Sequence, residues 1–153
     1  MLQLDKYSYN SNSSFLDYEF DSIGIKGIIK KVARFTSIGN NLYNFGFGDL
    51  DLQTGEIDDT IVSNNGDGDK ILATVAAIIF DFTNHYLEGA VFIKGSTATR
   101  TRRYQMGINK FWEQINPVFE IIAYQNEKWE HFKKQENYEA FIGRRKTSFL
   151  FWY

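Results

Sequence analysis

Leu16, Tyr18 and Phe20 alternate with Asp17, Glu19 and Asp21, the period of a half-buried strand. The alternation returns over Leu42 to Leu52, where Tyr43, Phe45 and Phe47 oppose Asn44, Gly46 and Gly48. From Lys70 to Tyr86 the period changes. Leu72, Val75, Ile79, Phe82 and Tyr86 recur at helical spacing, flanked by Ile71 and Ile78, while Lys70, Thr74, Asp81 and Glu88 share the opposite side. A chain that reads first in twos and then in threes and fours is an α+β chain, strands first and a core helix after them.

The first strand, Phe15 to Asp21, pairs with the β-branched run Ile25 to Thr36 through a turn at Ser22-Ile23-Gly24. Lys26, Lys30 and Arg34 then face the acidic row across the ladder, which is ordinary cross-strand chemistry. Ile38-Gly39-Asn40-Asn41 is a turn, Gly46 and Gly48 leave room for a close neighbour or mark a bulge, and Thr54-Gly55 leads into Ile57 to Val62. These four strands form an antiparallel meander. Asn65, Asp67 and Asp69 mimic the start of a calcium loop, but Lys70 and Ala76 stand where its glycine and bidentate glutamate belong. Asp67 or Asp69 is expected to cap the helix instead. His85 sits near the helix end, where an imidazolium suits the dipole.

Ala90-Val91-Phe92-Ile93 reads as a buried strand whose partners the sequence does not identify. A second helix carries Thr101, Tyr104, Ile108, Phe111 and Ile115 on one stripe and stops at Pro117. Val118 to Tyr124 and Lys128 to Phe132 make a closing hairpin, and Asn137 to Ile142 is a strand or one helical turn. The expected architecture is a mostly antiparallel sheet, a four-stranded N-terminal meander followed by helix-strand-helix and a C-terminal hairpin, with two helices packed on it.

At 153 residues the chain fits a single domain, 1–153, with 1–13 a candidate mobile opening. The apolar tail, 147–153, is expected to pack on the domain or on a partner. Seventeen per cent of the residues are aromatic, and the formal charge of −2 gives the whole chain no hold on nucleic acid or acidic membranes. Without cysteine there is no disulfide, thiolate nucleophile or cysteine-bound metal. Met1 to Lys6 lacks the pattern of a signal peptide, and Ile71 to Phe80 is too short to span a bilayer. A soluble cytoplasmic protein with no membrane partner, no metal and no cofactor is the expectation.

The element that carries chemistry is the strand-to-helix turn. Gly95 gives the backbone freedom, Ser96 or Thr97 caps the helix, and Arg100, Arg102 and Arg103 load a terminus whose dipole already favours anions. Lys94, Gly95, Ser96, Thr97, Arg100 and Arg103 are the candidate ligand-binding residues, with Arg100, Arg103 and Lys110 on one helix face. The spacing matches neither a P-loop nor a dinucleotide fingerprint. Two counter-charges are open: an external phosphate or carboxylate, or the meander's own Asp17, Glu19, Asp49 and Asp51.

Phe92-Ile93-Lys94-Gly95-Ser96-Thr97 with Arg100, Arg102 and Tyr104, followed by Tyr138-Glu139-Ala140-Phe141, resembles a small bacterial family of unassigned function over the second half of the chain. The resemblance implies a bacterial cytoplasmic protein and transfers no catalytic residue. Three functions stay open. One is a binding domain for a phosphate-bearing ligand, nucleotide or RNA, with Arg144 to Lys146 as a second contact and Tyr104 and Trp112 as candidate base-stacking rings. Another is a protein-interaction module or homodimer. The third is a phosphodiesterase or transferase using His85, His131 or a carboxylate as proton carrier.

Overall fold

The computed structural model describes residues 5–59 and 64–146. Over these residues the fold is α+β, with nine strands in a mostly antiparallel sheet and three helices. The chain divides into two compact units, Met1–Thr36 with Phe45–His85 and Ser37–Asn44 with Tyr86–Tyr153. The apolar tail, the last residues of the strand read to Val62 and residues 1–4 lie outside the described residues.

The N-terminal strands are β1 (Asn10–Ser11), β2 (Asp17–Gly24), β3 (Gly27–Ser37), β4 (Leu42–Leu50) and β5 (Ile57–Asp58), of which the first unit holds all but Ser37 of β3 and Leu42–Asn44 of β4. They lie in the order β1-β2-β3-β4, with β5 against β4. The β2–β3 turn falls at Ile25-Lys26, later than the sequence suggests, because Asn65 accepts from both Ile25 and Lys26 N–H and holds them out of the ladder. The register puts Asp17 opposite Arg34 and Asp21 opposite Lys30, so the acidic and basic rows attract across the strands. A Cβ on Gly48 would stand 2.5 Å from the Asp58 carbonyl oxygen. The glycine face of β4 is therefore where β5 packs closely.

Helix α1 (Gly68–His85) buries Val75, Ile78 and Phe82, and Phe82 stacks on Phe35 at 3.9 Å. Thr74, read from the sequence as part of the polar side, is fully buried. Its hydroxyl donates to the Lys70 carbonyl at 2.7 Å and accepts from Tyr7 N–H at 2.9 Å, so a polar residue costs nothing there. Tyr7 is thereby tied to α1. Asp67 does not cap α1 with its carboxylate, which instead accepts from Tyr7 Oη at 2.5 Å and Ser22 Oγ at 2.6 Å. Asn65 bonds Ser22 and Gly27 of the hairpin, so this segment is a structural clasp.

The second unit holds β6 (Ala90–Ile93), α2 (Ala98–Lys110), α3 (Trp112–Ile115), β7 (Phe119–Gln125), β8 (Lys128–His131) and β9 (Ala140–Arg145). Its strand order is β6-β9-β7-β8. The missing partner of β6 is thus the last strand, which inserts antiparallel between β6 and β7. The helix expected to run unbroken to Ile115 is interrupted at Phe111, where φ −103° and ψ 19° leave the helical region. The β7–β8 turn has Asn126 and Glu127 at φ 52° and 62°, the twist a two-residue hairpin needs. Ile108, Ala123, Phe132, Tyr138 and Phe141 form the core between helices and sheet, joined by Tyr104, Trp112 and Ile121.

Candidate functional site: the β6–α2 cleft

The chain leaves β6 at Ile93, turns through Lys94 to Thr97 and enters α2. Thr97 is the N-cap, with extended φ −135° and ψ 162°, and its hydroxyl accepts from Arg100 N–H at 3.2 Å. Four residues on, the Thr101 hydroxyl accepts from Gly95 N–H at 3.0 Å and donates to the Thr97 carbonyl at 3.2 Å. This cross-tie draws the turn onto the helix so closely that a Cβ on Gly95 would lie 2.5 Å from Thr101 N and from Arg100 Cβ. Close approach of backbone, and not unusual torsion, is what glycine supplies here.

An open cleft of about 520 Å³ lies along this turn. One wall is Lys94 to Thr99, Thr101 and Gln105 of α2 form the base with Arg102 beside them, and Asn137, Tyr138 and Glu139 form the opposite wall. That wall has no helix or strand of its own and is held by side chains. Gln105, buried, accepts from Tyr138 N–H at 3.1 Å and donates to the Glu136 carbonyl. The Tyr138 hydroxyl donates to Glu130 at 2.8 Å and accepts from Lys133 N–H at 3.1 Å. Glu139 N–H donates to the Tyr124 carbonyl at 2.8 Å. Burial, reinforced by the Glu130 carboxylate, pushes the Tyr138 phenol up to about 12, and the same hydrogen bond holds the Glu130 carboxyl below its ordinary value.

Lys94, Gly95, Ser96 and Thr97 of the sequence-derived set line the cleft. Arg100, half-buried, and Arg103, exposed, are not among its lining residues; the arginine that borders it is Arg102. Arg102 lies one residue before the expected Arg103, because the helix face turned to the cleft is the Thr101–Gln105 face. The meander carboxylates have local partners: Arg34 meets Asp17 at 2.6 Å, Lys30 meets Asp21 at 3.2 Å and Glu19 at 3.7 Å, and buried Lys31 meets Asp49 at 2.5 Å. Asp51 accepts from Gln53 and Thr54 N–H in its own turn.

Of the expected proton carriers neither histidine lines the cleft, while a carboxylate, Glu139, does. His85 ends α1 in the first unit, stacked on Phe15 at 3.6 Å with Nδ1 3.0 Å from the Asp81 carbonyl oxygen. His131 lies exposed on β8. The basic run is absorbed into β9, where Arg144 pairs with Glu120 at 3.0 Å and Arg145 covers the Phe119 ring at 5.5 Å. Tyr104 and Trp112 pack against the core. Gln105, Asn137 and the wall around Tyr138 and Glu139 were not read as a site from the sequence. Thr101 and Gln105 at helical spacing gave half a signal; nothing local marked Asn137.

No helix among the described residues is long and apolar enough to cross a membrane, and no group of three or more potential metal ligands occurs among them. Of the two segments that carried the resemblance, Phe92 to Tyr104 and Tyr138 to Phe141, Lys94 to Thr97 and Arg102 of the first and Tyr138 and Glu139 of the second line the cleft together. Comparison with curated proteins and with solved structures finds no match. The family match runs through both units and is not confined to the second half: over residues 3–146 the chain fits, and so belongs to, the family of unknown function DUF6934.

Proposed function

We propose that the β6–α2 cleft binds a phosphate-bearing ligand, such as a nucleotide or RNA. The observation that carries this reading is the pairing of exposed Lys94 and Arg102 on one cleft with a helix N-terminus whose first turn holds no acidic residue. Amides that open a helix lack acceptors within it, and the dipole adds to the attraction for an anion. The Thr97 and Thr99 hydroxyls supply further donors of the kind a phosphate oxygen takes. Glu139 on the far wall favours a ligand that also offers hydrogen-bond donors, as a sugar does, over a bare anion.

Titration with inorganic pyrophosphate at low salt, followed by amide chemical shifts, tests the reading. The Gly95 to Thr99 signals should move, the effect should weaken as salt is added, and Lys94→Ala with Arg102→Ala should abolish it. Unmoved signals at millimolar pyrophosphate would sink it. A second reading, a protein-interaction module, is favoured by the β2–β3 tip, where Ile23, Ile25 and Ile28 are 59%, 84% and 71% exposed. Self-association that disappears in Ile25→Ser would support that alternative.

A further inference from the structure

Ile23 and Ile28 pair directly across the β2–β3 ladder, so both side chains leave the same face of the hairpin, and Ile25 stands in the turn beyond them. All three are open to solvent. The turn that carries them is fixed by Asn65. Its Oδ1 accepts from Lys26 N–H at 2.6 Å, its Nδ2 donates to the Ser22 and Gly27 carbonyls at 3.3 and 2.9 Å, and its carbonyl accepts from Ile25 N–H at 3.2 Å. A Cβ on Gly24 would run into that carbonyl, so turn and clasp are in direct contact. Apolar side chains on a fixed turn lose little freedom when a partner covers them.

The same face carries charge on either side of the isoleucine pair. Inward of it, Lys30 meets Asp21 at 3.2 Å and Glu19 at 3.7 Å, so two half-exposed carboxylates share one ammonium and leave a negative surplus. Outward of it, Lys26 is exposed in the turn, and its ammonium has no ion pair among the described residues. Asp21 lies two residues before Ile23 and the turn begins two residues after it, about 7 Å along the strand in each direction. A two-fold axis at the Ile23–Ile28 pair therefore exchanges the basic turn of one chain with the acidic rung of another. A surface whose two ends complement each other under a dyad matches its own copy.

We infer that the β2–β3 tip docks on a second copy of this chain, face to face and antiparallel. Ile23, Ile25 and Ile28 of each chain pack on those of the other, and Lys26 of each meets Glu19 and Asp21 of the other. This pairing rests on the second reading above, the tip as a protein contact, and is independent of the cleft. Three isoleucines a side make an interface smaller than stable dimers use, so the association is weak and reversible.

Sedimentation equilibrium of the full chain up to millimolar concentration at low salt tests the pairing. A dimer should form as the concentration rises, and the amide shifts that move with it should fall between Glu19 and Lys30. Ile25→Ser should weaken the dimer by about 10-fold or more. Lys26→Glu and, separately, Glu19→Lys set like charges together at both ends of the pair, so each should weaken it by about 3- to 30-fold. An equimolar mixture of these two charge variants should restore it as a mixed dimer, because each turn then meets a rung of opposite sign. A dimer lost in Ile25→Ser but blind to the charge changes, or not restored by mixing, overturns the antiparallel pairing and spares the tip as a protein contact. A monomer at every concentration, or a dimer that Ile25→Ser leaves intact, overturns both. Unchanged circular dichroism in each variant shows that a loss is not unfolding.

Discussion

The Gln105 carboxamide oxygen accepts from the Tyr138 backbone N–H at 3.1 Å, while its nitrogen donates to the Glu136 carbonyl. One buried side chain thus satisfies two backbone groups in a segment with no ladder or helix of its own. Residues Asn137 to Glu139 form the cleft's far wall because α2 reaches across to hold them. The width of the cleft is set by a glutamine more than thirty positions away in the sequence.

Gln105→Ala should therefore destabilise the protein by about 1–3 kcal/mol, the cost of leaving such buried groups without partners. Urea unfolding measures the loss. Gln105→Glu keeps the acceptor but removes the donor and sets a carboxylate against the Glu136 carbonyl, so it should rescue little. In both variants the Asn137 to Glu139 amides should exchange faster with solvent while β7 amides keep their protection.

Gly95→Ala should cost about 1–3 kcal/mol, because the new Cβ meets helix backbone that cannot swing aside. Gly68→Ala is the control. It has nothing within 4 Å of its Cβ site at the start of α1, so it should be neutral or stabilising by about 0.5 kcal/mol. Thermal melting of the two variants separates close approach from a general intolerance of substituted glycine.

How much of this was legible depended on range. The periods at Asp17 to Asp21 and across α1 are local, so strand and helix were readable, and so was the Thr97 cap. Thr74 misled because a buried threonine that bonds Lys70 and Tyr7 looks, in sequence, like a solvated one. The partner of β6 was illegible because β9 lies some fifty residues downstream and no local pattern encodes that pairing. The cleft was half legible: its Lys94 to Thr97 wall follows from the turn, whereas the Asn137 to Glu139 wall depends on Gln105 and Glu130. Three arginines within four residues drew attention to Arg100 and Arg103, but helix phase puts Arg102 at the cleft.

Lys31 is 5% exposed and meets Asp49 at 2.5 Å inside the first unit. Lys31→Met should cost about 3–5 kcal/mol, since it leaves the Asp49 carboxylate in a largely buried site without that cation. The double change Lys31→Met with Asp49→Leu should recover most of the loss, as apolar pairs of similar volume often replace buried ion pairs without penalty. Guanidinium unfolding of these two variants and of Asp49→Leu alone gives the coupling directly. Equal losses in the single and double variants would show that Asp49 gains little from its lysine.

Burial raises the phenols of Tyr138 and Tyr9 to about 12, with Glu130 and Asp81 adding to the shift. Each folded value lies above the ordinary 10.0, so the folded state holds its proton longer than the unfolded state does. The stabilisation is therefore complete below pH 10 and is lost as the pH rises through about 12. Tyrosinate absorbance should show Tyr138 and Tyr9, with Tyr7, whose phenol burial also raises, among the tyrosines that ionise late, together with unfolding. Tyr138→Phe acts on both ends of the pH range. It removes one late-ionising phenol from the alkaline limb, and it also takes from Glu130 the hydrogen bond that most lowers its carboxyl. In the parent protein that lowered carboxyl contributes stability above the ordinary glutamate range and loses it as the pH falls through the folded value. The variant should lack this term. Its pH–stability curve should be flatter at both ends, whereas Tyr9→Phe should flatten the alkaline end and leave the Glu130 titration on the acid side as it is.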